Sequence, residues 1–204
     1  MSNEVKTKEK VDMDPKYITE LTLKLFITCV IVAGLLGLVN GITKDKIAAI
    51  NWENTQAAML DVVADKNSTF TDAMELSDEM TSAATSAGAT LDSMYGVQSG
   101  GADAGYAMKI IASGSQGNIE MMGGVDTEGV VTGVSIVSNS ETSGIGSKVM
   151  ENENGVLDQF AGKSAADGVL SVGSNVDAIS GATVSTKGVT AGVNAALAVA
   201  GVLG

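Results

Sequence analysis

At 204 residues, 45% of them hydrophobic and with a formal charge of −12, the chain has room for one domain of ordinary size plus attachments. Its acidity excludes nucleic acid as a partner, because proteins that neutralise phosphate backbones are basic. All 12 basic residues are Lys, His is absent and Cys29 is the one cysteine, which excludes zinc tetrads, iron–sulfur clusters, His-ligated haem, Ser-His or Cys-His pairs and any intrachain disulfide. Neither a metal-ligand set nor a catalytic side chain is predicted, and redox work in such a chain requires an organic cofactor.

Residues 1–20 form a polar tail bearing Lys6, Lys8, Lys10 and Lys16, with Pro15 the single proline. From Leu25 to Ile42 no residue is charged, and the run extends over 21–43 if Lys24 snorkels to the headgroups. A hydrocarbon core of ~30 Å needs about 20 helical residues, so a transmembrane helix is predicted at 21–43. Cleavage as a signal peptide near Val39-Asn40-Gly41 is the competing reading, and the long N-terminal region and long apolar run count against it. Cys29 lies inside the run, where a lipoprotein cysteine would lie at its end, and a buried core helix would be more often interrupted by polar residues. Five Lys precede the span while Lys44 and Lys46 follow it, which predicts a cytoplasmic N-terminus and a single pass through the cell membrane. The acidic remainder, with 5 Lys against 18 acids from Ile47 onward, is then extracytoplasmic.

Residues 44–95 are expected to be a helical stalk and connecting segment. Ile47, Ile50, Ala57, Met59, Leu60 and Val63 recur at loosely helical spacing over 46–65, with Trp52 placed as an interfacial anchor. Thr71 to Met94 carries a weak helical pattern, and Gly96 to Gly105 reads as a flexible linker. Three strands follow, at Tyr106–Ala112, Ile119–Val125 and Val130–Val137, the last two joined by a hairpin turn at Asp126–Gly129. Lys148 to Phe160 is a helix candidate broken at Gly155. From Thr183 on, Val189, Val193, Ala196, Leu197 and Ala200 recur at spacings of three and four, the period of a helix with one buried face. The fold class is therefore α+β, an N-terminal transmembrane helix followed by an antiparallel-sheet domain at 96–204 with flanking helices.

Two short strings stand out. Asp177-Ala178-Ile179-Ser180-Gly181-Ala182-Thr183 runs into the last helix, where free N–H groups and the positive dipole end make an ordinary Ser/Thr cap or an anion site. Glu141-Thr142-Ser143-Gly144-Ile145-Gly146, read alone, is a glycine turn after a strand. Together they resemble, in the same order, the D-x-x-[ST]-G-A-T and E-T-P-G-L-G motifs of the FMN-binding domains of Rnf and Nqr respiratory complexes. Gly105-Tyr106 and Gly123-Gly124-Val125-Asp126 extend the resemblance over about 106–193. This chain has Ser143 in place of the usual Pro, Ile145 in place of Leu, and Asn139 where a His is frequent.

The resemblance implies that a flavin transferase joins FMN covalently, one per chain, to the Thr183 hydroxyl as a phosphoester. It also implies that Ser180, Gly181, Ala182, Asp177, Glu141, Thr142, Gly144, Ile145 and Gly146 form the cofactor site. Lys187, one turn into the helix, is placed to meet the phosphate charge. Asp177 would repel that charge, which leaves it as a recognition or Mg²⁺-binding element for the transfer, or as a loop cap. The expected function is that of a membrane-anchored electron-transfer protein, resembling the G subunit of an Rnf-type complex that couples ferredoxin:NAD electron transfer to Na⁺ or H⁺ translocation, with the other membrane subunits as partners. The alternatives are the C subunit of a Na⁺-pumping NADH:quinone reductase, which is generally longer, and an FMN-binding domain serving an extracellular reductase.

Overall fold

The structure, a computed structural model, describes residues 15–203. Lys6, Lys8 and Lys10 of the expected tail lie outside the described residues. The chain divides into two compact units at Ala49/Ile50.

Helix α1 (Pro15–Asp61) is long and apolar enough to cross a membrane. In the first unit, the large apolar side chains between Tyr17 and Ile42, among them Leu25, Phe26, Leu35, Leu36 and Leu38, are exposed. A helix that is apolar all round needs an apolar surrounding, of the kind that lipid provides. The expected stalk helix over 46–65 is the end of α1 and stops at Asp61.

The second unit, from Ile50 on, is organised around one antiparallel sheet. Its strands are β1 (Thr69–Ala73), β2 (Ala89–Ser99), β3 (Ala102–Ser113), β4 (Asn118–Val125) and β5 (Val131–Asn139), in the spatial order of the chain. Helix α2 (Asp78–Ser86) lies between β1 and β2, a short helix α3 (Ser147–Met150) follows β5, and helix α4 (Thr183–Leu203) closes the described chain. Strand alternation sends successive side chains to opposite faces. Met108, Ile110, Ile119 and Met121 therefore face α4 and meet Val189, Val193 and Ala196, with Phe160 in the same cluster. Ala107 and Met122 face the other way and pack with Tyr95, Val97 and Val137 against Ala58 and Met59 at the end of α1 and Val62 and Val63 just beyond it. Burying each such Val, Ile or Met contributes about 1.5–3 kcal/mol.

The three expected strands are β3, β4 and β5, and the Asp126–Gly129 turn is present, with the Asp126 carboxylate accepting the N–H groups of Glu128 and Val130 (2.9 Å each). Two expectations upstream fail. The supposed helical stretch 71–94 is helical only at α2, which Ser77 caps by accepting the Met80 N–H at 3.2 Å; β1 and β2 flank it. The supposed linker 96–105 is a hairpin in which Ser99 pairs with Ala102 across Gly100 and Gly101, both at positive φ (60° and 84°), the geometry two-residue hairpins favour. The helix candidate 148–160 breaks earlier than expected. Asn152 and Asn154 adopt left-handed φ (55° and 59°), leaving α3 and two 3₁₀ turns at Glu153–Gly155 and Asp158–Phe160.

A polar cluster ties down the sheet face away from α4. Lys109 pairs with Glu120 (3.0 Å) and Asp92 (3.5 Å). Burial lowers the Lys109 pKa, but the hydrogen bond and charge of Glu120, with those of Asp92, outweigh it and raise it above its ordinary 10.5. At the β2–β3 hairpin the Ser99 hydroxyl donates to the Asp65 carboxylate (2.6 Å), and that bond, with the Asn67 N–H, holds the Asp65 pKa below its usual value.

Candidate functional site

The C-terminal motif folds into a tight turn that delivers Thr183 to the start of α4. The Ala182 N–H donates to the Ile179 carbonyl at 2.9 Å, and Gly181 sits at φ 84°, a conformation other residues rarely adopt. Ala182 is 3% exposed, so its methyl pins the turn to the core, and its carbonyl accepts the Thr186 N–H at 3.0 Å as the first helical bond. Ala182 has no side-chain oxygen with which to cap the helix. Among the described residues no acceptor meets the N–H groups of Thr183, Val184 or Ser185. Three backbone donors and the positive end of a 21-residue helix thus converge beside an exposed hydroxyl.

The hydroxyls of this stretch divide sharply. Thr183 and Ser180 are exposed. Ser185 and Thr186 are 1% and 0% exposed and committed: Ser185 donates to the Glu141 carboxylate, and Thr186 to the Ala182 carbonyl at 3.1 Å. Lys187 is exposed four residues beyond Thr183, on the same side of the helix.

The second motif is also a glycine turn. The Ile145 N–H donates to the Thr142 carbonyl at 3.2 Å with Gly144 at φ 76°, and the Gly144 N–H donates to the Ser147 hydroxyl at 2.8 Å. Thr142, Ser143, Gly144 and Ile145 are exposed, Gly146 is buried and Glu141 half-buried. Glu141 brings this turn to α4. One carboxylate oxygen accepts the N–H groups of Ser115 (2.7 Å) and Gln116 (3.2 Å) in the β3–β4 turn, and the other accepts the Ser185 hydroxyl. Asn139 accepts the Glu141 N–H at 3.1 Å.

Asp177 stands apart from that junction. Gln159 holds its backbone by accepting the Asp177 N–H (2.7 Å) and donating to its carbonyl (3.0 Å), while the exposed carboxylate has no partner among the described residues and caps nothing. An open cleft of about 510 Å³ lies between residues 177–180 on one side and Lys148, Asn154 and Gln159 on the other. A larger groove of about 710 Å³, lined by Trp52, Phe70 and Tyr95, lies on the opposite side of the sheet and contains no motif residue.

Sequence reasoning missed Gln159, Ser115 and Gln116, whose roles are backbone contacts across long sequence separations, and it also missed Ser185. The Ser185 contact had one signal, a polar residue on the apolar face two places into the helix.

Residues 114–198 match the FMN-binding domain family. The G subunit of the Na⁺-translocating ferredoxin:NAD⁺ oxidoreductase complex of Acetobacterium woodii is 33% identical over 205 residues, spanning 96% of this chain and 97% of that protein. The G subunit of the ion-translocating oxidoreductase complex of Methanosarcina acetivorans is 28% identical over 187 residues, 90% of this chain and 95% of that one. Among solved structures, NqrC of Shewanella oneidensis aligns with a TM-score of 0.42 and 17% identity over 67% of this chain and 66% of that chain.

Proposed function

Because the chain belongs to the family of G subunits of ion-translocating oxidoreductase complexes, we propose that it carries one FMN as a phosphoester on Thr183 and relays electrons on the outer side of the membrane. It is an electron-transfer subunit of a membrane complex, with an FMN-binding domain and an N-terminal apolar helix. The finer reading has the N-terminus in the cytoplasm, α1 crossing once and the domain outside, in accord with the lysine bias around the span. Other subunits of the complex are its partners, and a flavin transferase matures it.

The observation that carries the attachment site is the pairing of the exposed Thr183 hydroxyl with three unpartnered N–H groups at the start of α4. In the transfer, the Thr183 Oγ1–P bond forms as the pyrophosphate P–O bond of FAD breaks. AMP leaves and the hydroxyl proton passes to solvent. The N–H groups of Thr183, Val184 and Ser185 then face the phosphate charge, and Lys187 adds a cation one turn on. Once attached, FMN supplies reversible one- and two-electron chemistry, and its covalent tether prevents loss by dilution outside the cell. The Thr142–Ile145 turn, beside the first turn of α4, would offer the exposed Thr142 and Ile145 to a ring tethered at Thr183. Asp177, whose carboxylate has no partner among the described residues, is left for the maturation step.

Thr183→Val keeps shape and removes the nucleophile. Co-expressed with a flavin transferase, the wild type should gain the mass of one FMN less one water and stay yellow after denaturation, whereas Thr183→Val should show neither. Because Ala182 occupies the cap position, the variant should lose less than the ~0.5–2 kcal/mol of a true cap deletion. Covalent label persisting in Thr183→Val would sink the assignment, and Ser180 would be next in line as the other exposed hydroxyl of the 177–183 motif.

A further inference from the structure

The Glu141 carboxylate is built into the protein to a degree that a cofactor ligand would not need. Its two oxygens receive three donors from two separate elements: the N–H groups of Ser115 (2.7 Å) and Gln116 (3.2 Å) at the β3–β4 turn, and the Ser185 hydroxyl in the first turn of α4. Two glycines make room for it. A Cβ on Gly114 would strike the Glu141 carboxylate, and one on Gly146 would strike both the Glu141 side chain (2.9 Å from its Cβ) and the Ser185 hydroxyl (2.9 Å). Ser185 is 1% exposed, so its hydroxyl needs an acceptor inside the protein, and Glu141 provides it.

The geometry points to Glu141 as the positioning residue of the attachment site, acting through Ser185 to fix the first turn of α4, and with it the Thr183 hydroxyl, against the 141–146 loop. This rests on the reading of Thr183 as the attached residue. The upstream turn at Ile179–Ala182 constrains where α4 begins. Packing of Val189, Val193 and Ala196 on the sheet orients the body of α4, while the N–H groups of its first turn have no acceptor among the described residues. Of the hydrogen bonds made by residues 183–185, the one from Ser185 to Glu141 is the one that reaches a different element. Glu141 also keeps Ser185 occupied, which leaves Thr183 as the hydroxyl that a transferase meets on the helix. A charge-assisted bond suits this task, being stronger and more directional than a neutral pair.

The test uses full-length protein in detergent with a flavin transferase and FAD, following the initial rate of covalent label against protein concentration and the end-point intact mass. Ser185→Ala removes one hydroxyl and leaves the Ser115 and Gln116 bonds in place. Glu141→Gln keeps the shape and one accepting oxygen. Each should lower kcat for labelling roughly tenfold with KM nearly unchanged, a modest share of the about 10²-fold that a 1 Å misplacement costs. The double variant should be no slower than the slower single one, since both remove the same contact. End-point label should still reach one FMN, at Thr183 by peptide mapping. Unchanged kcat in a labelled wild type and both variants overturns the role of Glu141 alone, as does a rise confined to KM, or a fall in melting temperature with kcat intact. An unlabelled wild type, or label at another residue, overturns the attachment reading and this proposal with it.

Discussion

Helices α1 and α4 are both long and apolar enough to cross a membrane, yet they do opposite things. Over its most apolar stretch the residues of α1 are exposed, whereas 56% of the equivalent stretch of α4 is buried, against the sheet and α2. The stretch in α1 is the more apolar of the two, and the helices differ besides in the size and distribution of their side chains. Helix α1 carries Leu, Ile, Val and Phe on all sides. Helix α4 carries its larger residues, Val189, Val193 and Leu197, on one side together with Gly and Ala, so that its backbone comes close to the sheet; at Gly188 a Cβ would collide with the Ser113 carbonyl. Two of its buried hydroxyls are satisfied by carbonyls one turn back, Thr186 donating to Ala182 at 3.1 Å and Thr190 to Thr186 at 2.8 Å. A lipid-facing helix needs bulk all round, while a core helix beside a sheet needs a small face that lets it approach.

That contrast can be broken most forcefully with one charge in each helix. Val193→Lys puts an ammonium among side chains that leave the site 1% exposed, which should cost more than about 4 kcal/mol and unfold the domain while the chain stays with the membrane. Leu35→Lys, at a position 60% exposed in α1, should do the reverse: about 2.5–3.5 kcal/mol against insertion, with the domain still folded. Membrane fractionation after a high-salt wash and protease resistance of the domain read the two effects separately. If Leu35→Lys unfolded the domain, or Val193→Lys left it intact, the assignment of lipid and core helices would be exchanged.

A smaller effect probes the sheet face away from α4. Lys109→Met leaves Glu120 and Asp92 as unpaired neighbouring carboxylates and should cost about 1–3 kcal/mol near neutral pH, read as a shift in the urea midpoint. The folded-state pKa of Lys109 is raised above 10.5, so its contribution is complete below that pH and is lost as pH rises through the folded value. Wild type and Lys109→Met should therefore converge in stability on the alkaline side. A gap between them that stayed constant through that range would show that the pair does not govern the titration.

The smallest change sharpens the view of the loop that meets α4. Ser143 holds the second place of the Thr142–Ile145 turn, where Pro is favoured, and its N–H has no acceptor among the described residues. Ser143→Pro should raise stability by about 0.4–1 kcal/mol by restricting the unfolded chain. Calorimetry would register this as a melting point a few degrees higher, and a lower one would mean that the turn needs a φ that Pro cannot supply.

Several features were legible in the residues alone because each depends on local order along the chain. The charge-free run in α1 needs only its length. Strands β3 to β5 announce themselves by alternation and by the Asp126 turn, and the start of α4 by its period and by Gly181 and Thr183. Beyond these, tertiary contact decided. Residues 71–94, rich in Ala, Ser, Thr and Met, carry too little pattern to declare strand or helix, and β2 exists because Leu91, Met94 and Val97 find β3 and the core beside them. Gly100 and Gly101 look like a linker until β2 and β3 pair across them. Composition could not divide the hydroxyls of 180–186 into exposed and committed, because that depends on Glu141, which lies 44 residues from Ser185. A periodic pattern records which face of an element is apolar; it holds no record of which distant carboxylate will accept a buried hydroxyl, since that bond forms only once the sheet has brought both ends together.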